Sequence, residues 1–247
     1  MRVLFVVSAA PCLTFSDRTV FPAGYWVPEL VLPWEALLED GRTLSLATPG
    51  GAPPIPDPQS MGKEQPRWMT RLARIAPLRK PAVLESVAAE PWDALVIPGG
   101  YAPAEDLPEH AATGLLLRSA MTRGAVVAAI CHAPAAFLSA RRPGEPWPFR
   151  GRRMTCFSEA EEAAWLGARR PARRVEFELR AEGAEVTVAA PWSAHCVVDG
   201  GLVTAQNSPS CAQFVEALRA ALAIRAGGSS PSSGRPPAPH SPPPPAP

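Results

Sequence analysis

Nothing in this 247-residue sequence approaches the ~20 consecutive apolar residues of a membrane span. Net charge is also nearly absent. The 24 basic and 23 acidic side chains leave a formal +1, so there is no electrostatic reason to expect nucleic acid or an anionic membrane as partner. There is no Cys-x-x-Cys pair. The five cysteines (Cys12, Cys131, Cys156, Cys196 and Cys211) are scattered along a chain that is not small, which argues against a disulfide framework or a zinc site. No metal is expected, and the thiols are expected to be reduced, in the cytoplasm. Residues 1–8 lack the length and cleavage signature of a signal peptide and read as a first strand. Lysine is nearly missing, with two against 22 arginines, a codon-bias pattern rather than a functional one. Histidine is scarce: after His132 only His195 and His240 remain.

Apolar residues make up 47% of the chain, enough for a sizeable core. They are not spread evenly. Residues 227–247 hold nine prolines with Gly and Ser and are expected to be a disordered tail, leaving 1–226 as the folded domain. Within that domain, short apolar runs without polar alternation ("RVLFVVS", "TLSLATPGG", "ALVIPGG", "GAVVAAIC") are separated by helical patterns. Leu30, Trp34, Leu37 and Leu38 have helical spacing, with Pro33 near an expected bend. Residues 68–89 predict one or two helices, and 109–123 another. "RRMTCF", 186–189 and 196–204 read as strands, and 208–226 as a closing amphipathic helix. In "SEAEEAAWLG", Ser158 and Glu161 fit a capping box. This order predicts an α/β three-layer sandwich with a mostly parallel central sheet, flavodoxin-like, in which functional residues gather at the carboxyl ends of the strands.

Cys131 stands at one such end, in "VVAAICHAPAAF". Small neighbours Ala129 and Ala133 permit a sharp strand-to-helix turn, the logic of a nucleophile elbow. A helix starting there directs free N–H groups at the sulfur and favours thiolate. The competing reading is a buried cysteine acting as a small hydrophobe. Adjacent side chains diverge, so the His132 ring need not reach the sulfur. Its backbone N–H is placed to donate to an oxyanion, and its ring serves as base only if a carboxylate orients it. The glycines Gly99 and Gly100 of "PGG" end a second strand, where their amides can approach a ligand. Glu29, in a first helical turn, is by itself only a partner for the helix dipole.

Taken in order, "ALVIPGG", "AAICHAPAAF" and "CVVDGGLVTAQNSPS" resemble the PfpI/ThiJ superfamily, in the class I glutamine amidotransferase-like fold. "GYWVPEL", "LLEDG" and "LATPGGAPPIPDPQS" are similar to its heat-shock-chaperone/glyoxalase III branch. The likeness spans residues 1–226. It implies Cys131 as nucleophile, Glu29 as the buried acid bonded to that cysteine, and His132 as the histidine of the Cys-His pair. It implies Glu162 as triad acid, with Glu159 or Glu161 as alternatives. Gly99 and Gly100 would complete an oxyanion hole. It also implies no cofactor, a homodimer, and a small reactive aldehyde such as methylglyoxal, converted to lactate without glutathione, or a related deglycase reaction. A redox-sensing stress protein or holdase chaperone, and a cysteine peptidase or amidase, are the alternatives. Two departures bear on the pocket mouth: Tyr101-Ala102 where the branch has His-Gly, and Thr204-Ala205-Gln206-Asn207-Ser208-Pro209-Ser210 in the later segment. True glutamine amidotransferases of this fold need a downstream His-x-Glu. His195 is followed by Cys196 and Val197, so that activity is not expected.

Overall fold

The computed structural model describes residues 1–227. The Pro/Ser-rich segment 228–247, expected to be disordered, lies outside the described residues. In chain order, β1 (Arg2–Val6) leads to a small hairpin, β2 (Cys12–Thr14) and β3 (Val20–Pro22), then to α1 (Val27–Glu39) and β4 (Thr43–Thr48). Next come α2 (Gln65–Leu72), β5 (Ala82–Val83), α3 (Leu84–Val87), β6 (Ala94–Ile97), α4 (Ala102–Asp106), α5 (Ala111–Thr122) and β7 (Val126–Ile130). After β7, residues Ala133–Ala140 form 3-10 turns. The chain closes with β8 (Arg153–Met154), α6 (Glu159–Leu166), α7 (Val175–Ala181), β9 (Glu185–Val186), β10 (Cys196–Asp199), β11 (Leu202–Ala205) and α8 (Cys211–Gly227).

A seven-stranded sheet has the order β10-β11-β7-β6-β1-β4-β5. Every pairing in it is parallel except β10 with β11. Burial on both faces explains the unbroken apolar strands. In β1 and just beyond it, Val3, Phe5 and Val7 join the core under α1 and α8, while Leu4 and Val6 join the core under α5 and the 3-10 turns. β7 divides likewise, with Val126, Ala128 and Ile130 on one face and Val127 and Ala129 on the other. The period-2 alternation thus feeds two apolar layers, and each fully buried Val, Leu or Phe stabilises the fold by roughly 1.5–3 kcal/mol.

Several local expectations change. Pro33 does not break α1, which runs through it. The 196–204 segment is two strands joined by a turn at Gly200, whose φ of 59° suits glycine. "RRMTCF" contributes only Arg153 and Met154, paired with β9 outside the main sheet. Beyond Cys131 the turns are 3-10 rather than α-helical, so a full helix dipole does not face the sulfur. Among the described residues, no helix is long and apolar enough to cross a membrane.

Candidate active site

Cys131 follows β7 directly, with φ at +63°, a left-handed conformation that a non-glycine residue rarely adopts. Both of its backbone polar groups are tied down. Its N–H donates to the Ala205 carbonyl at 2.8 Å, and its carbonyl accepts from Phe157 N–H at 2.8 Å. Such strain persists only where the surroundings over-determine it. The ends of β11 and the approach to α6 do so here. Ala129 and Ala133 are fully buried beside the turn, where larger side chains would not fit.

The left-handed turn brings the Cys131 and His132 side chains together instead of letting them diverge. The Cys131 Sγ lies 3.3 Å from His132 Nδ1. His132 Nε2 lies 2.6 Å from Glu162 Oε1, and Tyr101 donates its hydroxyl to Glu162 Oε2 at 2.8 Å. Of the three acids weighed in "SEAEEAAW", it is Glu162 that faces the histidine. Glu159 points outward to Arg174. Glu161 closes the capping box with Ser158 and is fully buried. Its carboxylate also accepts from Gln206 Nε2 (2.9 Å), Asn207 Nδ2 (2.7 Å) and Trp192 N–H (3.0 Å). It ties three segments together and makes no hydrogen bond to Cys131 or His132.

Glu29 enters from the first turn of α1, fully buried against Cys131. Burial pushes its carboxyl up to about 8, against a counter-pull from the Gly99 amide and the Cys131 side chain. Near neutrality it is therefore mostly protonated. Burial also pushes the Cys131 thiol well above its ordinary value, and negative charge on Glu29 pushes in the same direction. The amides of Gly100 and His132, directed at the sulfur, pull the other way. Burial thus works against the thiolate expected from sequence, and the two amides work for it.

Gly99 differs from its expected role. Its N–H donates to Glu29 Oε2 at 3.1 Å and is not free for an oxyanion. Its lack of a side chain matters more. A Cβ there would lie 2.5 Å from the Cys131 Cβ, from Glu29 Oε2 and from the Ile130 carbonyl oxygen. Gly99→Ala is expected to destabilise the fold by about 1–3 kcal/mol through overpacking and to displace Glu29. Thermal denaturation checks this, and an unchanged midpoint would rule the clash out. Gly100 keeps its amide at the sulfur. Its φ of 91° and its approach to the Gly24 carbonyl, 2.3 Å from where a Cβ would stand, leave room only for glycine.

Above the sulfur lies a cavity of about 190 Å³. Cys131, His132 and Glu29 form its reactive floor, and Trp26, Tyr101, Phe157, Trp165 and Trp192 wall it. Phe157 stacks on the His132 ring at 4.4 Å between centroids, with Tyr101 on it at 4.3 Å. Tyr101, noted in the sequence as a departure at the pocket mouth, does line the cavity, whereas Phe157 and Trp192 carried no signal there. The only available signal was Tyr101 standing at the His position of the resembled branch. His195 is bonded to Thr187 and does not line the cavity.

The DJ-1/PfpI family profile matches residues 27–221. The chain belongs to the DJ-1/PfpI family. Among curated relatives, this DJ-1/PfpI protein is 29% identical over 175 residues to the Bos taurus glutamine amidotransferase-like class 1 domain-containing protein 1, covering 71% of the chain and 78% of the relative. It is 24% identical over 168 residues to the protein/nucleic acid deglycase HchA of Pseudomonas aeruginosa, covering 64% of the chain and 58% of HchA. Two solved structures share its fold. The Francisella tularensis rapid encystment protein matches with a TM-score of 0.80 at 22% identity, covering 90% of this chain and 98% of that one. Candida albicans glyoxalase III matches at 0.75 and 20%, covering 90% and 97%. The family match begins at Val27, so it includes Glu29 as well as the Cys131 elbow and the Glu162 helix.

Proposed function

We propose that this protein is a cofactor-free, cysteine-dependent carbonyl-stress enzyme that converts methylglyoxal to lactate without glutathione. One observation carries the reading: the unbroken relay from the Cys131 sulfur through His132 to Glu162, beside a Glu29 carboxyl held protonated by burial. The likeness to proteins named glyoxalase III and deglycase supports it. The nucleophile forms when His132 Nδ1, 3.3 Å from the sulfur, takes the thiol proton, with Glu162 balancing the imidazolium. The sulfur then bonds to the aldehyde carbon, giving a hemithioacetal whose oxyanion lies among the Gly100 and His132 amides. A proton leaves the former aldehyde carbon and returns on the ketone carbon through an enediol. The first carbon is oxidised to a thioester and the second reduced to an alcohol. Water cleaves the thioester, releasing lactate and restoring the thiol. The protein is read as a homodimer, which light scattering on the eluting species checks.

Lactate release from methylglyoxal in the absence of glutathione tests the reaction, and a purified protein that releases none defeats it. The relay has its own test in Tyr101. Tyr101→Phe removes a hydroxyl donated to Glu162 and is expected to lower kcat about tenfold, the worth of one hydrogen bond to a charged group. A kcat that Tyr101→Phe leaves unchanged means that the hydroxyl has no part in the relay.

A further inference from the structure

The walls of the cavity extend beyond what methylglyoxal alone would touch. That molecule offers one methyl group beyond its two carbonyls. An apolar cavity of about 150 Å³ is enough to hold a benzene ring, and this one measures about 190 Å³. An aromatic series climbs out of it. Phe157 stacks on His132, Trp192 meets Phe157 edge-on at 5.7 Å, and Trp165 meets Trp192 edge-on at 5.9 Å. The two tryptophans end the series with 43% and 48% of their surface exposed. They are large apolar rings at a site mouth that no other part of the described chain covers.

Trp192 is also held in place at a cost. Its φ is +65°, one of three such non-glycine values among the described residues, and Cys131 is another. Its N–H is fixed by the buried Glu161 carboxylate at 3.0 Å. Backbone strain of this kind collects at ligand clamps. The cavity is open beyond the mouth: a recess of about 360 Å³ shares Trp26, Tyr101 and Trp165 with it, so a substituent larger than methyl meets space rather than a wall.

We propose that the substrate class is an aryl-substituted 2-oxoaldehyde, with its ring seated against Phe157, Trp165 and Trp192 and its aldehyde carbon over Cys131. The proposal rests on the glyoxalase reading of the same site. The chemistry balances identically: phenylglyoxal and water give mandelate, the aldehyde carbon being oxidised as the ketone carbon is reduced. Ring-on-ring contact and burial of the tryptophan faces supply binding that the methyl compound lacks.

Two measurements test it. In the first, initial rates for phenylglyoxal and methylglyoxal give a ratio of kcat/KM. The ratio is expected to favour the aryl compound in wild type and to fall at least tenfold in Trp192→Ala and in Trp165→Ala. In the second, Cys131→Ser is titrated calorimetrically with 2-hydroxyacetophenone and with hydroxyacetone, which have the two substituents but no aldehyde. The aryl compound is expected to bind at least tenfold more tightly, and the preference is expected to vanish when Trp192→Ala is added. A wild type that turns over methylglyoxal while the ratio is unmoved by either tryptophan, with no aryl preference in binding, overturns this proposal and leaves the glyoxalase reading standing. Turnover of neither aldehyde overturns the reaction, and the binding titration still decides whether the cavity selects an aryl group.

Discussion

Cys131→Ser is expected to abolish lactate release from methylglyoxal, by at least about a thousandfold in kcat/KM, while the fold persists. The loss follows from the chemistry of the site rather than from damage to it. The Cys131 side chain is 6% exposed, lies against Glu29, and makes its polar contact with His132. Serine keeps the shape and the hydrogen bond. The left-handed turn is held by backbone bonds to Ala205 and Phe157, which a side-chain change does not touch. A hydroxyl is far harder to ionise than a thiol and a weaker nucleophile toward the aldehyde carbon, in a site built around sulfur, so the addition step slows severely. Circular dichroism and the denaturation midpoint of the variant should match wild type within about 1 kcal/mol, since one buried polar atom replaces another of similar shape. The substitution also separates the enzyme from a non-enzymatic stress protein. If Cys131→Ser loses turnover but suppresses aggregation of a client as wild type does, the two properties are separate. If wild type consumes no aldehyde and both suppress aggregation, the chaperone reading takes the place of the enzyme.

The layered architecture was legible because burial on both faces leaves a mark on composition: "RVLFVV" and "AVVAAI" have no polar alternation, and each proved to lie inside the parallel sheet. The capping box at Ser158 and Glu161 was legible for a similar reason, since it is local chemistry between residues three apart. What failed depended on distance in sequence. The protonation state of Cys131 turns on Glu29, 102 positions away and on another helix, and on desolvation that no motif encodes. The Gly99 amide looked free because its acceptor, the Glu29 side chain, lies 70 positions away. The contact between Cys131 and His132 was left open because neighbouring side chains diverge on extended and helical backbone; at φ +63° they meet. The aromatic mouth was missed because Phe157 and Trp165, at the two ends of the α6 segment, meet Trp192 from a distant loop that the Glu161 carboxylate holds against them. Their types in isolation resemble ordinary core residues.

Glu29→Gln is expected to raise stability increasingly as pH rises, while impairing turnover. The wild-type carboxyl has a folded-state value of about 8 against an ordinary 4.5, and it is fully buried with its Oε1 lacking any hydrogen-bond partner among the described residues. Below 4.5 the group is protonated in both folded and unfolded chains and contributes nothing to the pH dependence. Between 4.5 and 8 it ionises only in the unfolded chain, which therefore gains ground as pH rises; above 8 both forms are ionised and the effect levels off. Glutamine does not titrate and escapes this loss. The stability difference between variant and wild type should thus grow by on the order of 4 kcal/mol from about pH 5 to about pH 8, measured by urea denaturation at each pH. The Gly99 amide keeps an acceptor in the glutamine oxygen, so the packing around Gly99 is retained. Activity moves the opposite way. The amide nitrogen can donate weakly to the sulfur but cannot give or take a proton, so any proton transfer that Glu29 performs in the enediol step is lost. A stability difference that stays flat across this range would mean that Glu29 is ionised in the folded protein, and the protonated acid beside Cys131 would have to be abandoned.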